Sequence, residues 1–228
     1  MNEILSALGE ALRLIATGDR ELFEIIGLSL RVSGIALLIS TAFGVPVGAG
    51  LGLTRSRIHG LITALIYTGM GLPPVVVGLF VYLLLSRSGP FGAWAWLFTP
   101  NAMIAAQTII ALPLVVGLTM TAVRGVDTAL RLQVRSLGAT TLQEAWTVLM
   151  EARIGVVAAI VAAFGGIISE VGAVMLVGGN IAGKTRVLTT AIVLNTRQGE
   201  FTLALALGII LLALSFAANV VLLRLQGR

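Results

Sequence analysis

Residues 32–53, VSGIALLISTAFGVPVGAGLGL, run without one charged side chain. About 20 apolar residues, rising 1.5 Å each, cross the hydrocarbon of a bilayer. Such a run therefore predicts a membrane-spanning helix. The same reading gives spans at about 25–53, 61–86, 101–123, 154–177 and 201–223. The fourth is interrupted only by Glu170. Residues 187–195 are apolar but too short to cross, which fits a half-helix or re-entrant segment. Lipid offers backbone groups no partner, so several spans in one chain imply helices. The expected fold class is an all-α polytopic membrane protein with five transmembrane helices.

The composition agrees: 57% of the 228 residues are hydrophobic, 11% are charged, and the mean hydropathy is +1.04. Soluble domains carry about a quarter charged residues. Before the first span, Ile4, Leu5, Leu8, Leu12 and Ile15 share one helical face, with Glu3, Ser6, Glu10 and Arg13 elsewhere. This pattern predicts an amphipathic interfacial helix over 1–20, ahead of a membrane domain over 21–228. It lacks the unbroken apolar core and small-residue cleavage site of a secretory signal.

Several chemistries are excluded. The chain has no cysteine and one histidine, His59, so no zinc site needing two such ligands forms, and no catalytic or metal residues are assigned. A protease reading lacks a positioned nucleophile and base. The net charge of +5 comes from cations scattered between apolar runs, as at lipid headgroup boundaries. No basic run with interleaved aromatics suggests nucleic acid.

All six prolines lie in or beside the spans. Pro46, Pro73, Pro74 and Pro113 are expected helix breaks, and Pro90 and Pro100 bracket the aromatic stretch GPFGAWAWLFTP. Broken helices in membranes line protein or water-filled cavities, so the set favours a conduit over an inert anchor. Charge does not orient the chain. Arg55, Arg57, Arg124, Arg131, Arg135, Arg153, Arg224 and Arg228 lie on one side, and Arg13, Arg20, Arg31, Arg87, Lys184, Arg186 and Arg197 on the other.

Residues 125–153, GVDTALRLQVRSLGATTLQEAWTVLMEAR, are the long polar stretch between spans. Leu142, Ala145, Trp146 and Leu149 recur at helical spacing, and Gly138 separates them from a helix around 130–137. Two helices and a glycine turn standing in water suggest a docking surface. Residues 178–185, GGNIAGKT, satisfy the phosphate-loop pattern G-x-x-x-x-G-K-[ST]. That loop works by joining a strand to a helix in a soluble α/β domain. Here a membrane span precedes it and no alternating strands surround it, so the match reads as coincidence.

The stretch RSLGATTLQEAWTVLMEAR resembles the cytoplasmic coupling motif of type I ABC importer permeases, which runs E-A-A, three residues, G, nine residues, I-x-L-P. Gly138 takes the glycine position, and LGA at 137–139 follows the oxyanion branch. Leu132, Gln133 and Val134 stand where E-A-A would be, and Met150 and Glu151 where L-P would be. GLPPVVVGL at 71–79 and SEVGAVMLVGGNIAGKTRVLTTAI at 169–192 are similar to stretches of tungstate and molybdate permeases.

The resemblance implies the permease fold of those importers, with a cytoplasmic coupling helix. Ser136, Leu137, Gly138, Ala139, Thr140 and Thr141 would be its ATPase-coupling residues. It implies a homodimer, two ABC ATPase subunits binding ATP and Mg²⁺, and an extracellular or periplasmic oxyanion-binding protein. It also implies a bacterial or archaeal cell (inner) membrane, with the N-terminus outside and the C-terminus cytoplasmic. The substrate would be a tetrahedral oxyanion, tungstate first and molybdate next.

Asn180, Lys184, Thr185 and Arg186 offer the donors and positive charge that such an anion requires. The same cations would equally meet lipid headgroups or a docked binding protein. Glu170 has three readings: an outer-gate partner of Arg31, Lys184 or Arg186, a packing contact, or a protonated acid. The alternative function is a secondary transporter or channel for a small anion without an ATPase. Those chains usually carry inverted repeats or several intramembrane charges, and neither is evident here.

Overall fold

A computed structural model describes residues 2–54 and 59–226. Arg55, Arg57 and Arg228, counted above by side, lie outside the described residues. The amphipathic start forms helix α1 (Asn2–Ala16). Ala11 and Leu14 pack it against the last helix, while Leu5, Leu8, Leu12 and Ile15 are exposed. Gly18 turns the chain at φ +65°. Asp19 then caps α2 (Arg20–Leu53), its Oδ1 accepting from Leu22 N at 2.8 Å. At 34 residues α2 is about 51 Å long, so it joins the two ends of the bundle.

The second expected span is not one helix. It is α3 (His59–Met70) and α4 (Pro74–Leu85), bent by 96°. Pro73 and Pro74 enforce the bend: neither has an N–H to donate, and the residue before a proline avoids helical angles. A short 3-10 turn follows at Gly92–Trp94, where Phe91 stacks on Trp94 with ring centres 4.7 Å apart.

Pro46 and Pro113 do not break their helices. Pro46 lies within α2, and Pro113 within α5 (Pro100–Arg124). A proline removes one intrahelical bond, yet both helices continue through it, packed against each other. A Cβ on Gly44, Gly48 or Gly52 of α2 would fall within 3 Å of Val115, Val116 or Val123 atoms. This glycine stripe brings the two backbones together, as small residues do in membrane bundles.

Two short helices follow, α6 (Thr128–Ser136) and α7 (Thr141–Glu151), then α8 (Arg153–Ile168), which is bent by 66° from α7. The fourth expected span, 154–177, is also corrected. The helix stops at Ile168 and restarts as α9 (Gly172–Gly178). The half-helix expected at 187–195 is α10 (Leu188–Gln198), and α11 (Phe201–Gln226) follows it. Among the described residues, α2, α5 and α11 are each long and apolar enough to cross a membrane, and five crossings result if each bent pair counts as one.

The core runs along α5. Val115 and Ala111 meet Ala36 of α2 and Ala163 and Ile167 of α8. Met103 and Ala106 meet Val77 and Val81 of α4 and Val174 and Val177 of α9. Leu38, Phe43, Phe80, Leu212 and Phe216 point outward with more than half of their surface free. In water that would be costly; against lipid it is neutral.

Candidate functional site: a broken helix and a helix-turn-helix at opposite ends

At one end, α6 and α7 form the predicted helix-turn-helix. Asp127 Oδ1 caps α6 through Ala129 N at 2.8 Å. Gly138 turns the chain at φ +83°, with no atom within 4 Å of where a Cβ would stand. Its requirement is therefore conformational. Thr140 and Gln143 form a capping box that starts α7. The two helices are stapled by Arg135 Nε on Glu144 Oε2 at 2.7 Å, with Glu144 buried. That hydrogen bond, then the carboxylate charge, raises the Arg135 pKa. Arg131 donates to Val123 O at 2.7 Å, tying α6 to the end of α5.

Of the helical stripe read from the sequence, Leu142 and Trp146 face outward, while Ala145 and Leu149 are half-buried, Leu149 against the core. Val148 is the buried anchor of α7, while Leu137 (87%), Leu142 (80%) and Trp146 (63%) stand exposed beside Ser136, Thr140 and Thr141. Ala139 is half-buried. An ordered, capped pair of helices thus presents bare apolar side chains away from the bundle.

At the other end lies the break in the fourth span. Glu170 is half-buried, and its Oε1 accepts from Ala173 N at 2.9 Å. The carboxylate thus caps α9. Thr189 Oγ1 donates to Glu170 O at 3.0 Å, and buried Gln107 donates through Nε2 to Ile167 O at 2.9 Å. A helix can open at membrane depth only where other protein satisfies the freed groups. Glu170, Thr189 and Gln107 do this here. Among the described residues no ion pair includes Glu170, so of its three readings the pairing with Arg31, Lys184 or Arg186 is not formed here. Lys184 and Arg186 lie on the loop after α9, and Arg31 lies in α2, while Glu170 is committed to the backbone of α9.

The loop 179–187 departs from a phosphate loop. A helix precedes it, and the helix after it starts at Leu188, three residues beyond the motif. Gly179 and Asn180 are both left-handed, at φ +72° and +51°. Thr185 is fully buried, donating its hydroxyl to Gly178 O at 2.6 Å and accepting from Ile181 N at 2.9 Å. It closes the loop on itself and is no free donor for an anion. Asn180 has a buried Oδ1 without a partner. Lys184 is exposed. Arg186 reaches back to α2, its Nη1 3.1 Å from Glu21 Oε1.

Arg31, Lys184 and Arg186 meet Glu21 and Glu24 around a cavity of about 430 Å³. Glu21 and Gln107 were not singled out from the sequence. Glu21 lies 165 residues from its partner, and no spacing rule reaches that far. Gln107 had one available signal, an amide side chain in the middle of an otherwise apolar span.

Comparisons agree with this layout. Residues 44–228 match the family model described as "Binding-protein-dependent transport system inner membrane component". The chain is 44% identical to a "Probable anion ABC transporter permease protein" of Haloferax volcanii, over 94% of this chain and 96% of that one. It is 39% identical to the "Tungstate uptake system permease protein TupB" of Peptoclostridium acidaminophilum, over 99% of both. In fold it is similar to a solved bacterial alginate ABC transporter in complex with a substrate-bound periplasmic protein, with a TM-score of 0.76 at 17% identity, covering 97% of this chain and 86% of that one. The chain is a multi-pass membrane protein and belongs to the family of binding-protein-dependent transport system inner membrane components.

Proposed function

We propose that the chain is the transmembrane subunit of an ATP-driven importer of a tetrahedral oxyanion, tungstate first and molybdate next. The observation that carries the substrate is the near full-length similarity to a tungstate uptake permease. Two copies form the path between them, and a binding protein delivers the anion at the end bearing Lys184 and Arg186. The N-terminus lies outside and the C-terminus in the cytoplasm.

At the opposite end, the exposed residues around Gly138 enter a groove on each of two ATPase subunits, which bind ATP and Mg²⁺. Leu137, Leu142 and Trp146 supply the apolar contact, and the Arg135–Glu144 staple makes the pair of helices move as a unit. Closure of the ATPases then reaches α5 through Arg131 and α8 through its bend from α7. Lys184, Arg186 and Asn180 act at the outer mouth by drawing and orienting the anion.

The test is reconstitution with the ATPase and binding protein in vesicles, following uptake of radioactive tungstate and hydrolysis of ATP together. Gly138→Ala carries only the backbone strain of a side chain at φ +83°, and Gly138→Glu adds a charge in the docking turn. Gly138→Glu is expected to abolish uptake while the chain still inserts and dimerises. Normal coupled turnover in that variant would overturn the coupling role, and ATP-independent uptake by the chain alone would overturn the importer.

A further inference from the structure

We propose that Glu21 is a built-in stand-in for the substrate: its carboxylate occupies Arg186 until a tetrahedral dianion displaces it. This rests on the oxyanion-importer reading and names a residue that reading does not use. Arg186 is the enclosed member of the pair, its side chain 20% exposed, whereas the Glu21 side chain is 67% exposed. Their contact of 3.1 Å is longer than the 2.7–2.9 Å typical of a tight charge-assisted bond. The acid can therefore leave while the guanidinium stays.

Charge balance around the cavity points the same way. From α2 it receives Glu21, Glu24 and Arg31; from the loop 179–187, Lys184 and Arg186; from the start of α5, only uncharged Pro100. Glu24 is engaged by Arg20 at 2.8 Å. Among the described residues Arg31 and Lys184 join no ion pair. Three cations thus face one available carboxylate. The surplus is two positive charges with Glu21 in place and three once it is displaced, enough to hold an oxyanion dianion.

The space, about 430 Å³, holds a small anion with several hydration waters, each occupying about 30 Å³ in the liquid. When the anion takes Arg186, Glu21 swings to solvent. The tie between α2 and the loop is then released, so arrival of substrate is felt by the longest helix of the fold. Because the resting pair is exposed, Glu21 is a weak competitor, shifting the binding equilibrium by about fivefold or less.

The experiment titrates sodium tungstate into the full transporter in lipid nanodiscs without the binding protein, alongside binding-protein-dependent, ATP-driven uptake in vesicles. Glu21→Gln is expected to tighten tungstate binding about two- to fivefold, and Arg186→Gln to weaken it at least tenfold. The double variant should bind like Arg186→Gln alone, since among the described residues Glu21 pairs with no other cation. Glu24→Gln, which removes the same charge from the same cavity but frees no cation of the loop, should change binding less than Glu21→Gln.

Equal effects of the two glutamate variants would reduce Glu21 to long-range charge and overturn displacement. An unchanged affinity in Glu21→Gln, or no binding in wild type, would overturn it as well. In those cases intact uptake leaves the importer reading standing. Absence of ATP-driven oxyanion uptake in wild type would bring down both.

Discussion

Replacing Glu170 by alanine and by glutamine separates a capping role from a gate. In the structure Glu170 Oε1 accepts the Ala173 N–H at 2.9 Å, and no described cation pairs with it. Loss of a capping side chain costs about 0.5–2 kcal/mol. A carboxylate in the first turn contributes about 0.3–1 kcal/mol beyond the bond itself, and less than the maximum here because α9 has seven residues. Glu170→Ala is therefore expected to cost about 1–2 kcal/mol. Glu170→Gln keeps an acceptor oxygen and should cost about 0.5 kcal/mol.

At about 2–4 °C per kcal/mol for a chain of this length, the midpoint of thermal unfolding falls by about 2–8 °C in the first variant and about 1–2 °C in the second. Hydrogen exchange at Ala173 gives the local reading: about tenfold faster for each 1.4 kcal/mol lost in Glu170→Ala, nearly unchanged in Glu170→Gln. If glutamine proves as damaging as alanine to both stability and uptake, the charge itself matters. The capping account is then wrong.

Three further outcomes follow from contacts elsewhere. A Cβ on Gly78 would lie 2.6 Å from Ala173 Cα, so Gly78→Val must part α4 from α9 and cost about 1–3 kcal/mol, read as a fall in Tm; Gly27→Ala, which meets nothing within 4 Å, should not destabilise. Thr185→Val leaves Gly178 O and Ile181 N without the hydroxyl they share, for about 2–4 kcal/mol in all and a loss of uptake, whereas Thr185→Ser keeps both. In α1 the hydrogen bond from Arg13, then its charge, holds the Glu10 carboxyl below its ordinary value. A lowered folded pKa means its contribution is present above the unfolded value near 4.3 and disappears as pH falls through the folded one. A spin label on Leu5→Cys, unique because the chain has no cysteine, should keep the same mobility from pH 7 to 5 and loosen only below about pH 4, and Glu10→Gln should abolish that change.

Much of the fold was legible because lipid enforces a length rule. Residues 32–53 and 201–223 had to be helices, and α2 and α11 cover them. Pro73–Pro74 marked a break because two missing N–H groups in succession cannot be absorbed. Pro46 and Pro113 carry the same local chemistry and were not breaks. What differs is the neighbour: Gly44, Gly48 and Gly52 of α2 let α5 press close around Val115–Val123, and that contact is long-range. The amphipathic first helix and the capped turn at Gly138–Thr140 were local patterns, so the sequence announced them.

The site divides along the same line. The sequence showed that Lys184, Arg186 and a lone intramembrane carboxylate exist, and that a polar helix-turn-helix leaves the membrane. It determined that long apolar helices form, that a glycine turn separates two polar helices, and that no strands surround GGNIAGKT among the described residues. Only the tertiary structure decided partners. Glu170 faces the backbone of α9, Thr185 closes its own loop, and Arg186 meets Glu21 from the far end of the chain. Helix and capping preferences act over a few residues and are written in order along the chain. An ion pair depends on which surfaces the packed helices bring within about 4 Å, and that distance has no counterpart in sequence spacing.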